Sequence, residues 1–294
     1  MSVGRVGDLV RLGDDGDVSV EVLPGVGARL HRLRAFGVDL LRTPADPRVH
    51  LDDPWFWGSY PLAPWCNRLP MGPVEVAGRT IDLPSNFPDG TAIHGQVATA
   101  EWGHDGGGRF TIPAGGSGGW PWPYEVSQVL APSRGRLELT LAVTNLADDP
   151  MPAGLGIHPW FLDPVEVAIA ASHAFPSNTD PRSDPEPVRG ELDRRALGPL
   201  ALGVDATWTG LGDPPVVLRW PAAGLRATMS TSRSARYIVA AHLAGVDATA
   251  VEPETHAPAG IRRLLRGEPG GLELIEPGAT LELRVELQFE RDQT

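Results

Sequence analysis

The sequence predicts an all-β fold, a large antiparallel β-sandwich, on three observations. Apolar and polar residues alternate along residues 136–144 and again along 280–289, the pattern of strands that bury one face. Glycine (35) and proline (30) are frequent and scattered through the 294 residues, as many turns between many strands require. Helical periodicity longer than two turns is absent, the best short candidates being residues 191–197 and 261–265.

The hairpins follow from strand signals that flank turn signals. Residues 74–76 and 80–83 enclose Ala77-Gly78-Arg79. Residues 124–131 turn at Pro132-Ser133-Arg134-Gly135 into the strand that starts at Arg136, and residues 216–220 turn at 221–224 into 225–229. Two stretches read as loops: 103–123, rich in glycine and tryptophan, and 176–187, rich in proline and acid. Strand signals resume on both sides of each with no shift in composition. Residues 1–294 therefore read as one domain of two packed sheets, with 291–294 loose. An apolar share of 41% is enough for a packed core and argues against global disorder.

The net charge of −12 repels phosphate backbones and anionic lipid, so neither nucleic acid nor a membrane is an expected partner. The same field disfavours a phosphorylated small-molecule ligand over a neutral one. All basic side chains are arginine, which excludes a lysine Schiff base. Cys66 is the single cysteine, so no intrachain disulfide can form. The N-terminal run MSVGRVGDLVRLGDDGD lacks the apolar stretch of a secretion signal, and no apolar run approaches a spanning helix. The expected location is the cytoplasm, and the expected state a monomer or homodimer.

No phosphate loop, zinc-type cysteine pair, His-Glu-x-x-His or Gly-x-Ser-x-Gly motif is present, and no metal or other cofactor is expected. What remains is a set of histidines, acids and arginines in loop-like contexts. His94 stands in Ile93-His94-Gly95. His158 precedes Pro159, which biases it to extended geometry at a strand end, with Trp160 and Phe161 behind it. Judged alone, each histidine reads as a satisfied structural residue ahead of a functional one. Glu252 follows an apolar run that reads as a strand, which places it at the exposed strand end. A partly desolvated carboxylate there suits a general base, and a solvated turn residue is the alternative. Glu252 and Glu254 read as neighbours diverging to opposite faces, which counts against a glycosidase carboxylate pair. Arg68 reads as a sugar-binding fork or as half of a structural ion pair. Trp65, Trp160 and Trp208 are candidates to stack on a pyranose, with burial in the core as the alternative. His104, His173 and His242 read as structural or surface residues, and His256 as a possible orienter of Glu252.

Asn67-Arg68, the stretch from Asn86 to His94-Gly95, His158-Pro159-Trp160-Phe161, Asp205 in Gly203-Val204-Asp205-Ala206-Thr207-Trp208, and Glu252-Pro253-x-Thr255 resemble, in that order and spacing, the signatures of the aldose 1-epimerase (galactose mutarotase) family. The resemblance runs from about Asn67 to Phe289. It implies a sandwich of the galactose mutarotase type with an open sugar cleft. It also implies that Arg68, His94 and Asp205, with Asn67 and Trp160 beside them, hold the sugar, that His158 is the general acid at the ring oxygen, and that Glu252 is the base at the anomeric hydroxyl. Proton removal from O1 and delivery to O5 by groups on opposite sides of the anomeric carbon requires neither metal nor nucleotide. The galactose-active branch carries a Gln-x-Tyr segment where this chain has Ala235-Arg236-Tyr237, so another aldose is implied. Arg236, with Arg233, would meet a phosphate or acidic sugar, or face solvent. The readings to be weighed are a cofactor-independent aldose mutarotase, a non-catalytic carbohydrate-binding or regulatory module, and a hexose-6-phosphate mutarotase.

Overall fold

The computed structural model describes residues 7, 9–69, 72–180 and 182–292. Most of the N-terminal run considered above, residues 1–6 and 8, lies outside them. One continuous antiparallel sheet of 17 strands curls into two facing layers. The first layer is built from Trp120–Ser133, Arg136–Asn145, Thr280–Arg291 and Leu225–Thr231, each paired with the next. The second is built from Arg29–Ala35, Ser59–Leu62, Gly156–Leu162, Ala248–Glu254 and Tyr237–His242. The 16-residue strand Asp205–Trp220 joins them: residues 205–209 pair with Tyr237–His242, and residues 216–220 pair with Leu225–Thr231.

The alternation read from the sequence decides which faces meet. Leu137 and Leu139 of one strand, with Met229, Val285 and Leu287, pack toward Leu30, Ile157, Pro159, Phe161 and Pro253 of the other layer, leaving a gap of only about 30 Å³. All three hairpins are present. Ala77 (φ 47°) and Gly78 (φ 78°) form the two-residue turn between Val74–Val76 and Arg79–Ile81, the left-handed pair that matches strand twist. Thr280–Arg291 runs two residues beyond the alternating stretch. Arg291 is therefore ordered within a strand, Asp292 pairs with Arg219, and 293–294 lie outside the described residues.

The stretch 103–123 is not a loop. It contains Gly103–His104, Arg109–Ser117 and the start of Trp120–Ser133. Trp120, Trp122 and Tyr124 bury at every second position, and the intervening prolines fall before Tyr124, where pairing with Arg136–Asn145 begins. Among the described residues of 176–187, the one strand is the two-residue Glu186–Pro187. Of the two helix candidates, Gly260–Arg266 is an α-helix, whereas the other yields a 3₁₀ turn, Gly190–Leu192. Among the described residues, no helix is long and apolar enough to cross a membrane.

Candidate active site

Period two puts His158 and Trp160 on one face of Gly156–Leu162 while Ile157, Pro159 and Phe161 face the core. Strand register then lines up the chemistry. Tyr60 pairs with His158, and the pairing of Gly156 with Glu254 and of Trp160 with Ala250 sets His158 opposite Glu252. Glu252 pairs in turn with Val239, and Ala241 with Asp205. Because Val239 and Ala241 are small, a hollow of about 70 Å³ remains above them. Asn67, Arg68, His94, His158, Trp160, Asp205 and Glu252, all seven candidates from the sequence, line it.

Two short segments close the hollow. Arg68–Leu69 pairs with Ala92–Ile93, and the residue flanking each is left-handed: Asn67 at φ 53° and His94 at φ 59°. Asn67 Oδ1 accepts from the Arg68 amide (2.9 Å) and from Arg68 Nη1 (3.3 Å), so the asparagine aims the arginine. His94 Nδ1 accepts from the Asn67 amide at 3.3 Å. Gly95 is required at its position, since a Cβ would stand 1.9 Å from the Ala63 carbonyl oxygen. Arg68 also pairs with Asp89 at 2.6 Å, so it is half of an ion pair while it lines the hollow. Desolvation opposes the Asp89 charge, but hydrogen bonds from Thr91 and Arg68 prevail and hold its carboxyl at about 2.

Glu252 Oε1 and His158 Nε2 lie 3.3 Å apart, both side chains buried. Desolvation, then the nearby Glu254 and Asp205 charges, pushes the Glu252 carboxyl well above its usual range. Desolvation also lowers the His158 imidazole to about 3. Both effects favour the same form, a neutral pair sharing one proton rather than a standing ion pair. His94 is likewise held neutral by burial and by the neighbouring imidazole. One ligand-type atom from each of His94, His158 and Glu252 falls within 4.8 Å of the others. Since His94 Nδ1 receives the Asn67 amide, its proton sits on Nε2, which makes the ring a donor to the hollow rather than a cation ligand. A chelator is accordingly expected to leave activity unchanged; inhibition reversed by a divalent ion would show that the three groups hold a metal.

Several expectations are corrected. Glu252 is not at an exposed strand end but inside Ala248–Glu254, 3% exposed. Glu252 and Glu254, two residues apart, share a face instead of diverging, although Glu254 does not line the hollow. His158 is the third residue of its strand, not at the end. Trp65 packs in the core against Trp120 and Trp208 donates to the Leu192 carbonyl, so of the three tryptophans only Trp160 reaches the hollow. His256 does not orient Glu252. Its Nε2 accepts from the Cys66 amide (2.9 Å) and its Nδ1 donates to the Ala257 carbonyl (2.8 Å), which anchors the chain just before Asn67. Arg233 and Arg236 line a different groove, and Arg236 pairs with Glu273 at 3.1 Å. Sequence reasoning missed Trp55 and Tyr60. The aromatic run at residues 55–60, shortly before Asn67-Arg68, was the available signal. Tyr60 stacks on His158 at 4.6 Å, and its hydroxyl and Trp160 Nε1 both donate to the Trp55 carbonyl.

Both carboxylate oxygens of the fully buried Glu254 lack a hydrogen-bond partner among the described residues, and desolvation with the Asp205 charge raises its carboxyl well above 4.5. A folded-state value above the unfolded one means stability that is full below about 4.5 and is lost as pH rises through the folded value. Glu254→Gln is therefore expected to match the wild type in melting at pH 4 and to exceed it at pH 8. The gain should be at least about 1 kcal/mol, since each pH unit separating the folded and unfolded values is worth about 1.4 kcal/mol. Equal melting temperatures at pH 8 would contradict the buried, uncompensated charge.

The aldose 1-epimerase family model matches residues 8–232. The structure resembles a provisionally named aldose 1-epimerase of Escherichia coli K12, 23% identical over 97% of this chain and 99% of that one, with a TM-score of 0.81. It also resembles a galactose mutarotase-like protein of Clostridium acetobutylicum (17% identity, 96% and 94% coverage, TM-score 0.80). A third match is the aldose epimerase homologue of C. elegans (15%, 97% and 99%, 0.79). No curated protein matches the chain significantly. The family match over most of the chain, on a fold shared nearly end to end with these structures, makes this protein a member of the aldose 1-epimerase family.

Proposed function

We propose that the protein interconverts the α and β anomers of a free aldose by acid–base ring opening and reclosure, with no cofactor. The observation that carries this reading is the Glu252–His158 pair, buried and 3.3 Å apart at the wall of the hollow. O1 and O5 are bonded to the same carbon, so an acid and a base standing side by side reach both. This replaces the arrangement on opposite sides expected from the sequence. In the reactive form the proton is on His158. The Glu252 carboxylate takes the O1 proton, the C1–O5 electron pair moves to O5, and His158 Nε2 protonates O5. The pair is left as carboxylic acid and neutral imidazole, the form that burial favours. Rotation about C1–C2 turns the other face of the aldehyde to O5, and the same transfers in reverse close the ring on the other anomer. No net proton is consumed.

Arg68, Asp205 and the Nε2–H of His94 are placed to hold hydroxyls. Trp160, whose indole N–H is already committed to the Trp55 carbonyl, offers the hollow ring carbon for an apolar sugar face. A pure binding module has no use for a buried acid beside a buried imidazole, a costly arrangement that proton transfer explains. A 6-phosphate is disfavoured: among the described residues the one arginine at the hollow, Arg68, is already paired, and two acids line the same hollow. The test is polarimetry, or proton NMR of the anomeric signals, on freshly dissolved α-D-glucose, α-D-galactose and a wider panel with 6-phosphates. Faster equilibration with at least one free aldose supports the reading. Binding detected by tryptophan fluorescence, with no acceleration of any aldose, would replace it with the binding module.

A further inference from the structure

The row that aligns the catalytic pair extends one strand further. Leu30 pairs with Ser59, so the antiparallel register sets Arg29 beside Tyr60, on the side away from His158. Four successive strands thus present guanidinium, phenol ring, imidazole and carboxyl in line. The Arg29 guanidinium carbon lies 5.0 Å from the Tyr60 ring centre, and that ring stacks on His158 at 4.6 Å with planes 26° apart.

We propose that Arg29 is a positioning residue for His158: held behind the Tyr60 ring, its charge adds to burial in keeping the imidazole neutral at rest and makes the imidazolium a stronger acid toward the ring oxygen. The role in ring opening rests on the function proposed above; the effect on His158 does not.

Arg29 is wholly buried yet makes no ion pair among the described residues. Its hydrogen bonds go to neutral acceptors. Nε donates to the Val26 carbonyl (3.0 Å), Nη1 to the Pro54 carbonyl (2.8 Å) and to His50 Nδ1 (3.2 Å), and Nη2 to the Ala98 carbonyl (2.8 Å). A nitrogen that accepts from a guanidinium leaves His50 with its proton on Nε2, which donates to His31 Nδ1 at 3.0 Å. Burial and the Arg29 charge lower His50 to about 2, so it cannot take a proton and expel the cation. Burial lowers Arg29 itself only to about 10, which leaves it charged at neutral pH. Such a cradle fixes the position of a charge without cancelling it, and Pro54 and Ala98 tie it to the segments around Trp55 and Gly95. A salt bridge would serve stability as well and would remove the field. The other groups facing His158 are Tyr60 and Glu252 from the flanking strands, His94 from its loop and Trp160 from its own strand. Glu254, Asp205 and Arg68 act beyond Glu252, and Asp53 acts on Arg29 and Tyr60 from the outer side.

The test is an NMR titration of the His158 ring in the full-length wild type, Arg29→Met and Arg29→Lys, with aldose anomerisation kinetics on the same samples. A unit charge about 10 Å away at an effective dielectric near 20 moves a titration midpoint by about one pH unit. Arg29→Met is therefore expected to raise the pH at which His158 half-protonates by about one pH unit, with kcat changed less than about tenfold, because a weaker acid is offset by a larger share of the protonated form, and KM within a factor of about two. Arg29→Lys, which keeps the charge but loses the fork, should give less than half of that rise. An unchanged His158 titration in Arg29→Met would overturn the proposal, because a structural arginine would lower the melting temperature alone. If Arg29→Met does not fold, Asp53→Asn decides. Removing the anion that offsets Arg29 should lower the His158 titration by a few tenths of a pH unit, and no change or an upward one would overturn it. Should the wild type accelerate no aldose while the Arg29→Met rise is present, the proposed reaction fails and the inference about Arg29 stands.

Discussion

Glu252→Gln is expected to slow anomer interconversion by about 100- to 10,000-fold, the range for a positioned general base. The amide cannot take the O1 proton. The fold should survive, because the buried carboxyl is held toward its neutral form by desolvation and Gln has the same shape and no charge. Its contact with His158 Nε2 can be kept by the amide oxygen. Polarimetry on freshly dissolved α-D-glucose and α-D-galactose, with the wild type alongside and a circular-dichroism melt of both, would check this. Near-normal turnover in a folded variant would remove Glu252 from the role of base.

His158→Asn is expected to cost a similar factor, about 100- to 10,000-fold, through loss of the proton donor to O5. It also carries a pH signature. The wild type works while the Glu252–His158 pair holds one proton. A second proton enters only near the value of about 3 to which burial lowers His158, and the shared proton is lost only as pH rises through the raised Glu252 value. The rate should therefore be level across the neutral range and fall at both extremes. Without the imidazole the residual rate needs only the Glu252 carboxylate, so the alkaline fall should disappear and the acid-side fall should move up to the raised Glu252 value. A variant with the same two limbs as the wild type would show that the acid is a different group.

The sequence was legible where strands have one dry face and one wet face. Arg136–Asn145 and Thr280–Arg291 alternate in burial as their residues alternate in polarity. The strands that carry the site are different. Gly156–Leu162 and Ala248–Glu254 are buried nearly throughout, because the core covers one face and the residues around Trp55, Asn67 and His94 wall the other. Their polar residues therefore look like strand ends when only the sequence is read, which is why Glu252 was expected at an exposed terminus. The seven residues that meet at the hollow are picked out by the family resemblance of their motifs, which gives identities but no partners. It could not show that His256 serves Cys66, or that Tyr60 backs His158. Nothing in Gly27-Ala28-Arg29-Leu30 marks Arg29, whose importance comes only from the register of a strand with Ser59–Leu62. The prolines of residues 103–123 hid a strand for the opposite reason, since they lie where it has one neighbour fewer.

The in-line row of Arg29, Tyr60, His158 and Glu252 draws each member from a different strand, and 223 residues of chain separate the first from the last. No local segment contains even a rudimentary version of the site. Loop closure over such spans must be completed before the row can form, which places this chain among slow-folding, non-local topologies. A nascent or truncated chain that stops short of the Ala248–Glu254 strand lacks the carboxyl altogether, so neither would catalyse ring opening by this route. Under the proposed function, catalytic competence is thus a property of the closed sheet as a whole and not of any one segment.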